Sequence, residues 1–283
     1  MSNLTENQYT LLYWIEERES IRLRKLLGWK KPWSEDSIFH TTYFTNMNRE
    51  QDKVTKWIRK NWKYKGDYKK CYTFAMIVSR IFNLPSTLEA IGQPSLRNKI
   101  ADLVGWLYRG RANCEELIWD DKKIWNGAYI ISTNGKKIPK IDYCFDIFNK
   151  MIYSPNVYGA DLKDTHELLM EFEGLASFLA AQVVADLKNT KGHPLQKAED
   201  WFTFSAPGPG SLRGLSWFWE KKISPNDYQE AISEAAKIIF PLLSEEISDQ
   251  LCMQNFQNCF CEYDKYMRIK NGTGRSKRKY QGV

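Results

Sequence analysis

Residues His166–Leu187 read HELLMEFEGLASFLAAQVVADL. In the first half, Leu168, Leu169 and Phe172 fall on one side of a helix amid charged neighbours. The chain then turns at Glu173-Gly174-Leu175-Ala176. Beyond it, Leu175, Leu179, Val183 and Leu187 repeat every four residues while alanines fill the other faces, which predicts a buried helix. Two helices joined by a short glycine turn make a helical hairpin. Such a turn leaves backbone N–H groups at the start of the second helix, where a phosphate can be held. The same pattern also describes two ordinary core helices.

Helical periodicity extends outward from this hairpin in both directions. It predicts helices over 7–27, 46–62, 69–82, 97–108, 141–152, 164–172, 175–188, 210–220, 226–240 and 244–270, the last one broken. Ser224-Pro225-Asn226-Asp227 reads as a helix start with Ser224 as N-cap. Ala128–Thr133 (AYIIST), before Asn134-Gly135, has the composition of a short strand but has no partner with which to build a sheet. The expected class is therefore all-α. The expected organisation is one helical enzyme unit over 1–283. In it, 1–70 with 225–270 form a flanking subdomain, 71–224 a helical barrel containing the hairpin 164–188, and 271–283 a basic arm that contacts DNA.

Hydrophobic residues make up 43% of the chain, enough for a sizeable core. No run approaches the ~18 apolar residues of a membrane span, and MSNLTENQYT lacks a charged-then-apolar leader, so a cytoplasmic protein without a membrane partner is expected. The six cysteines form no compact framework and are read as thiols. With only three histidines and no HExxH pair, neither a metal nor a cofactor is expected.

The net charge of +7 is unevenly spread. Residues 53–70 hold eight Lys/Arg and one acid, and residues 268–283 hold six Lys/Arg and no acid. Removing these fourteen bases and one acid leaves 27 bases against 33 acids. Cations gathered on an acidic body suit a polyanion partner, although a solvated basic face has the same composition. If about six of them meet phosphates, affinity should fall with salt at a log–log slope near −5.

The hairpin resembles that of the helix-hairpin-helix DNA glycosylases of the endonuclease III type. The matching residues are Phe172-Glu173-Gly174-Leu175-Ala176, followed by Asp200 in AEDWFTF. The resemblance implies a glycosylase-like helical fold with a DNA-binding cleft, Gly174 and Ala176 against a phosphate, and Asp200 as the catalytic carboxylate. Ala176 stands where the family has its second hairpin glycine. Phe178 stands where bifunctional members carry their lysine, so no lyase step is implied. A carboxylate at Asp200 suits the chemistry, because cleaving an N-glycosidic bond builds positive charge on the sugar and needs an activated water. Asp186 and Glu173 compete for that role.

Pro207-Gly208-Pro209-Gly210-Ser211-Leu212-Arg213-Gly214 offers Gly208, Gly210, Ser211 and Arg213 as an anion cradle, or else a turn that starts a helix. It lacks the Gly-Lys-Ser/Thr ending of a nucleotide-binding loop.

A second resemblance covers nearly the whole chain. It rests on Glu17-Arg18-Glu19-x-Ile21-Arg22-x-Arg24-Lys25, Lys31-Pro32-Trp33-Ser34-x-Asp36, and Phe44-Thr45-Asn46-x-Asn48-Arg49-Glu50-x-Asp52. It continues in Gly127–Thr133, Pro209–Gly214, Cys261-Glu262-Tyr263-Asp264-Lys265-Tyr266 and the arm Gly272-x-Gly274-Arg275-x-Lys277-Arg278. These blocks are similar to the α-glutamyl- and putrescinyl-thymine pyrophosphorylase family, tied to amino-acid:DNA transferases and to hypermodified phage thymines. Around an everted nucleotide, Asn46 and Asn48 suit a base edge, Arg22, Arg49 and Arg213 suit phosphates, and Trp33 and Tyr43 suit the base faces. On the last helix Glu262 shares a face with Lys265, and Asp264 with Arg268. Glu262 and Asp264 are thus catalytic candidates, or members of an ion-paired helix. Lys265 and the arm residues Arg275, Lys277 and Arg278 are candidate DNA contacts.

The functional expectation is a monomeric, monofunctional DNA glycosylase. It would excise a bulky modified pyrimidine, such as glucosylated hydroxymethylcytosine, from double-stranded phage DNA in antiphage defence. The alternative is an amino-acid or polyamine:DNA transferase, in which an amine displaces pyrophosphate from an activated 5-methyl group of thymine and the glycosidic bond stays intact. A DNA-binding module without catalysis is the third reading.

Overall fold

The structure, a computed structural model, describes residues 4–127 and 131–274. Among these the regular structure is helical, with no strand. In chain order the helices are α1 (Glu6–Leu26), α2 (Ser37–Thr41), α3 (Lys53–Asn61), α4 (Tyr72–Phe82), α5 (Pro85–Ile91), α6 (Ile100–Trp119) and α7 (Lys140–Met151). They continue as α8 (Leu162–Met170), α9 (Ser177–Lys188), α10 (Pro209–Phe218), α11 (Tyr228–Ile239), α12 (Glu245–Ser248) and α13 (Met253–Lys270). The all-α expectation holds. Ile131–Thr133, the described half of the strand candidate, is irregular and runs into a turn at Asn134-Gly135, while Ala128–Ile130 lie outside the described residues.

The chain divides into two compact units, residues 1–52 with 202–283 and residues 53–201. These boundaries fall at Asp52/Lys53 and Trp201/Phe202, where the sequence reading set 70/71 and 224/225.

In the first unit, α1 begins with a capping box: the Thr5 hydroxyl accepts from the Gln8 N–H at 3.3 Å, and the Gln8 side chain accepts from the Thr5 N–H at 3.1 Å. Its buried side includes Leu11, Trp14, Ile15, Arg18, Glu19 and Ile21, apolar positions interrupted by two charged ones. α10 and α13 cross closely in the same unit. A Cβ on Gly214 would lie 2.2 Å from the Phe260 carbonyl oxygen, so only glycine fits at that crossing. α11 starts at Tyr228 rather than one turn earlier. Ser224 bonds to Asp227 inside the preceding turn, and Asp227 takes the N-cap position.

In the second unit, α4 is buried along its whole length and α9 along most of its length, which suits their near-continuous apolar sequences. Their paired charges meet inside: Arg80 and Asp186 form a two-bond ion pair. α8 and α9 form the expected hairpin. Gly174, at φ +86°, makes its turn where a Cβ would strike the Ile147 side chain.

Candidate nucleotide-binding site

In the first unit, the loop after α1 and the segment from α2 to Phe44 enclose a cavity of about 280 Å³. Trp33, Phe39 and Phe44 supply ring surface, and Arg18, Lys25, Lys31 and His40 supply basic groups. Lys25 Nζ sits 4.4 Å from the Trp33 ring centroid and Lys31 Nζ 5.3 Å, so the indole is flanked by cations. Arg24 donates to the Trp33 carbonyl at 2.5 Å and the Trp33 indole donates to the Trp29 carbonyl at 2.8 Å, which fixes the loop. His40 bonds the Ser34 carbonyl through Nε2. Phe39 and Phe44 belong to a ring cluster with Trp14 and Tyr266.

Behind the cavity, Arg18 donates to the Thr45 carbonyl at 2.9 Å and to Asn46 Oδ1 at 2.5 Å. Asn46 in turn donates its own N–H and its side-chain amide to Asp52 Oδ1, at 3.1 and 2.9 Å. Burial pushes the Asp52 carboxyl above the ordinary carboxylate value, opposed by the Asn46 N–H and by Arg49 and Arg18, with Glu262 raising it further. Glu262, itself buried, accepts from the Thr45 N–H at 3.2 Å and from Lys265 at 2.6 Å. Lys265 also donates to the Tyr43 carbonyl. A cationic, ring-lined hole is thus tied through the Arg18 guanidinium to two carboxylates, Asp52 by way of Asn46 and Glu262 by way of the Thr45 backbone.

Trp33 lines the cavity, but the rings beside it are Phe39 and Phe44; Tyr43 is not among the lining residues. Asn46 faces Arg18 and Asp52, while Asn48 caps a short 3-10 turn by accepting from the Glu50 N–H at 3.0 Å. Arg49 is buried near Glu50 and Asn255. Arg22 spends its guanidinium on Glu19, with bonds of 2.8 and 2.6 Å. The faces expected on α13 form: Lys265 pairs with Glu262, and Arg268 with Asp264 at 3.2 Å. Asp264 also takes Arg213 at 2.9 Å, so Arg213 reaches a carboxylate.

The glycine run before α10 works as a helix start and as a helix seam. Gly208 is the N-cap, and buried Ser211 bonds back to its N–H and carbonyl. Gly210 packs against Cys261, and Gly214 against Phe260. Arg275, Lys277 and Arg278 lie outside the described residues.

In the second unit, both Asp200 oxygens accept backbone N–H groups at the start of α8, from Leu162 at 2.9 Å and Lys163 at 3.0 Å. This is a helix-capping geometry. Glu173 is held by Lys136 and Lys150, whose cations pull its carboxyl down to about 2. Gly174, Ala176 and Phe178 line a separate cavity of about 420 Å³ at the hairpin turn. All six cysteines are thiols, and among the described residues no three His, Cys, Asp or Glu side chains converge as a metal-holding group.

Sequence reasoning missed Arg18, Lys25, Lys31 and His40 as a group. The available signal was Arg18 itself, a charge set in the apolar stripe of α1.

Residues 5–276 match the model of the family described as "5-hmdU DNA kinase, helical domain". The chain belongs to that family. It is also 25% identical over 221 residues to the 5-hmdU DNA kinase of Bacillus phage SP10, a match covering 72% of this chain and 35% of the phage protein. The chain therefore spans about a third of the length of that curated relative. No solved structure matches it.

These matches support the link to modified phage DNA and correct the expected activity. Both the family and the relative are named for a DNA kinase, a transferase, which overturns the reading as a hydrolytic glycosylase that excises a base. The alternative, modification of a base that stays attached to its sugar, is the better supported one. The hairpin stands as a local motif, whereas the family that covers the chain is the kinase helical domain. No described helix is long and apolar enough to cross a membrane.

Proposed function

We propose that this chain binds DNA carrying 5-hydroxymethyluracil and holds the everted base for group transfer at its 5-hydroxymethyl substituent. The observation that carries this reading is the cavity of the first unit. There the Trp33 ring offers a face for a pyrimidine, Lys25 and Lys31 beside it offer donors for phosphate oxygens, and Arg18 and His40 line the same cavity. The family's description, which names a 5-hmdU DNA kinase, supports this choice of base and reaction class. Kinase chemistry at this position bonds the 5-hydroxymethyl oxygen to the γ-phosphorus of a nucleoside triphosphate. The γ-phosphorus–oxygen bond to the departing diphosphate breaks, the hydroxyl proton passes to a base or to solvent, and the glycosidic bond stays whole. This chain's part is to present that oxygen. Its Gly-rich run lacks a Gly-Lys-Ser/Thr ending and spends its glycines on the α10–α13 seam, so no residue here is assigned to the phosphoryl donor.

A second reading is favoured by the charge of the same cavity. Arg18, Lys25 and Lys31 lining one cavity suit a base whose methylene already bears pyrophosphate better than one bearing a neutral hydroxyl. On that reading, an amine nitrogen bonds to the methylene carbon while the carbon–oxygen bond to pyrophosphate breaks, with pyrophosphate departing and the amine proton passing to solvent or to a base.

Oligonucleotides carrying thymine, 5-hydroxymethyluracil or its pyrophosphorylated form separate these readings. Each is titrated for binding, then incubated with ATP or with an amine and digested for nucleoside mass spectrometry. Preference for the modified oligonucleotides over thymine, lost in Trp33→Ala, supports the site. A phosphorylated nucleoside supports the kinase role and an aminated one the transferase. Equal binding of all three oligonucleotides overturns the proposal.

A further inference from the structure

In the second unit, the basic stretch noted in the sequence folds into α3 and the 3-10 segment Gly66–Cys71. Thr55 and Ile58 anchor α3 inward, and Arg59 turns in to Asp186 at 3.1 Å. Lys53, Lys56 and Lys60 therefore share the exposed side of the helix, followed by exposed Lys63 and Lys65. None of these five is ion-paired to a carboxylate among the described residues. Elsewhere, exposed lysines do find acids, as in Lys122–Asp120, Lys237–Glu234 and Lys150–Glu173. Unpaired like charges on one face repel each other and raise the local potential unless a polyanion neutralises them.

This face borders a cavity of about 450 Å³ lined by Trp57, Trp62 and Tyr68 together with Lys60, Lys63 and Lys65. Asn61, Gln93 and one acid, Glu89, also line it, so the lysines outnumber the carboxylates three to one. Its size is within the roughly 300–1,000 Å³ of small-ligand clefts. Trp57 and Tyr68 are half-buried, so their rings are supported yet reachable. Ring surface beside lysines is the composition that takes unstacked bases along a phosphate backbone; a paired duplex keeps its base faces hidden in the stack.

From this we infer that the second unit carries its own cleft for single-stranded DNA, in which an unpaired nucleotide stacks against Trp57 and Tyr68 while Lys60, Lys63 and Lys65 hold the neighbouring phosphates. The inference rests on the reading of DNA as the partner, but not on recognition of the modified base. Contacts to ring faces and phosphates read no exocyclic group, so this cleft is indifferent to modification of the base.

The test uses the full chain and an unmodified single-stranded oligothymidylate, with one thymine replaced by 5-iodouracil for photocrosslinking. The crosslink should map to Trp57 or Tyr68. Lys60→Ala/Lys63→Ala/Lys65→Ala should reduce the slope of log affinity against log salt by about 2, because each single-strand phosphate contact contributes ~0.7. Trp57→Ala should weaken single-strand binding roughly 5- to 100-fold, with Trp57→Phe restoring most of it. Thermal melting of each variant separates lost binding from lost folding. A crosslink at neither ring, or an unchanged slope in the triple variant, overturns the inference. So does a reduced slope with normal binding by Trp57→Ala, which would leave a plain cationic patch. Because the probe carries no modified base, these results are independent of the thymine-versus-5-hydroxymethyluracil comparison that tests the first unit's cavity.

Discussion

Arg80 grips Asp186 through both carboxylate oxygens, Nε to Oδ2 and Nη2 to Oδ1 at 2.6 Å each, in the interior of the second unit. Asp186 is 0% exposed and Arg80 1%. Arg59 adds a third contact at 3.1 Å, while Thr55 and Asn83 accept two further Arg80 N–H groups at 3.1 and 3.3 Å. The carboxylate that competed with Asp200 in the sequence is thereby a tie between α4 and α9. Removing it strands a buried guanidinium, which costs about 3–5 kcal/mol. Asp186→Ala should lower the unfolding free energy by that amount, measured by urea titration followed by circular dichroism. A loss under about 1 kcal/mol would contradict the buried pair, because that is what exposed pairs contribute.

Gly214 and Gly210 make a graded pair on one helix. At Gly214 a Cβ meets the Phe260 backbone at 2.2 Å, and backbone cannot swing aside; at Gly210 the nearest atom is the Cys261 sulfur at 3.3 Å. Overpacking a tight crossing costs typically about 1–3 kcal/mol, and α10 would have to lift off α13. Gly214→Ala should therefore destabilise by at least that range and Gly210→Ala by distinctly less, both read from thermal melts. Equal effects would mean that the crossing is looser than its geometry.

The helices that were legible in the sequence are those whose apolar residues keep a 3.6 period, such as α1, α7 and α9. α2 and α5 were missed because five and seven residues are too short to show a period, and the second half of α6 because its exposed face carries isolated apolar residues such as Ile118 and Trp119. The site was legible only in part. Trp33 stood out as a ring after Lys31 and Pro32, but its partners Phe39 and His40 sit on α2, the unread helix. Asp200 and the glycine run were read as chemistry because carboxylates and glycines serve catalysis and capping alike. Only the positions of the Leu162 and Lys163 N–H groups, and of Phe260 and Cys261, show which use was made.

His193 lies in a cage of tyrosine rings, 5.2 Å from Tyr64, 5.1 Å from Tyr158 and 6.2 Å from Tyr72, and is 2% exposed. Its Nδ1 accepts the Leu195 N–H at 3.2 Å, and Nε2 has no hydrogen-bond partner among the described residues. Burial lowers its pKa to about 4. The folded state thus refuses a proton that the unfolded chain accepts near 6.5, so this contribution is whole above pH ~6.5 and is lost as pH falls toward 4. The slope from this one group approaches but does not exceed about 1.4 kcal/mol per pH unit. Melting wild type and His193→Gln at pH 7.5, 5.5 and 4.5 should show the two curves converging as acid is added. Parallel curves would mean that His193 keeps its ordinary pKa.

Arg18 is the hinge between the cavity and the carboxylates, and its two directed bonds, to the Thr45 carbonyl and Asn46 Oδ1, need a planar guanidinium. Lysine keeps the charge at the cavity wall but reaches only one of those acceptors, leaving the other buried and unmet at a cost of about 1–3 kcal/mol. If the charge alone matters, Arg18→Lys should bind phosphorylated 5-hydroxymethyluracil DNA as wild type does. If the positioning of Asn46 against Asp52 matters, Arg18→Lys should weaken that binding about tenfold, one decade being about 1.4 kcal/mol. Arg18→Met, similar in bulk and without charge, should then be worse for the phosphorylated base than for the neutral hydroxymethyl base. We expect the second pattern, because the guanidinium is buried between its acceptors and cannot be replaced by a solvated ammonium. Equal loss for both bases in Arg18→Met would place the phosphate away from Arg18 and return its recognition to Lys25 and Lys31.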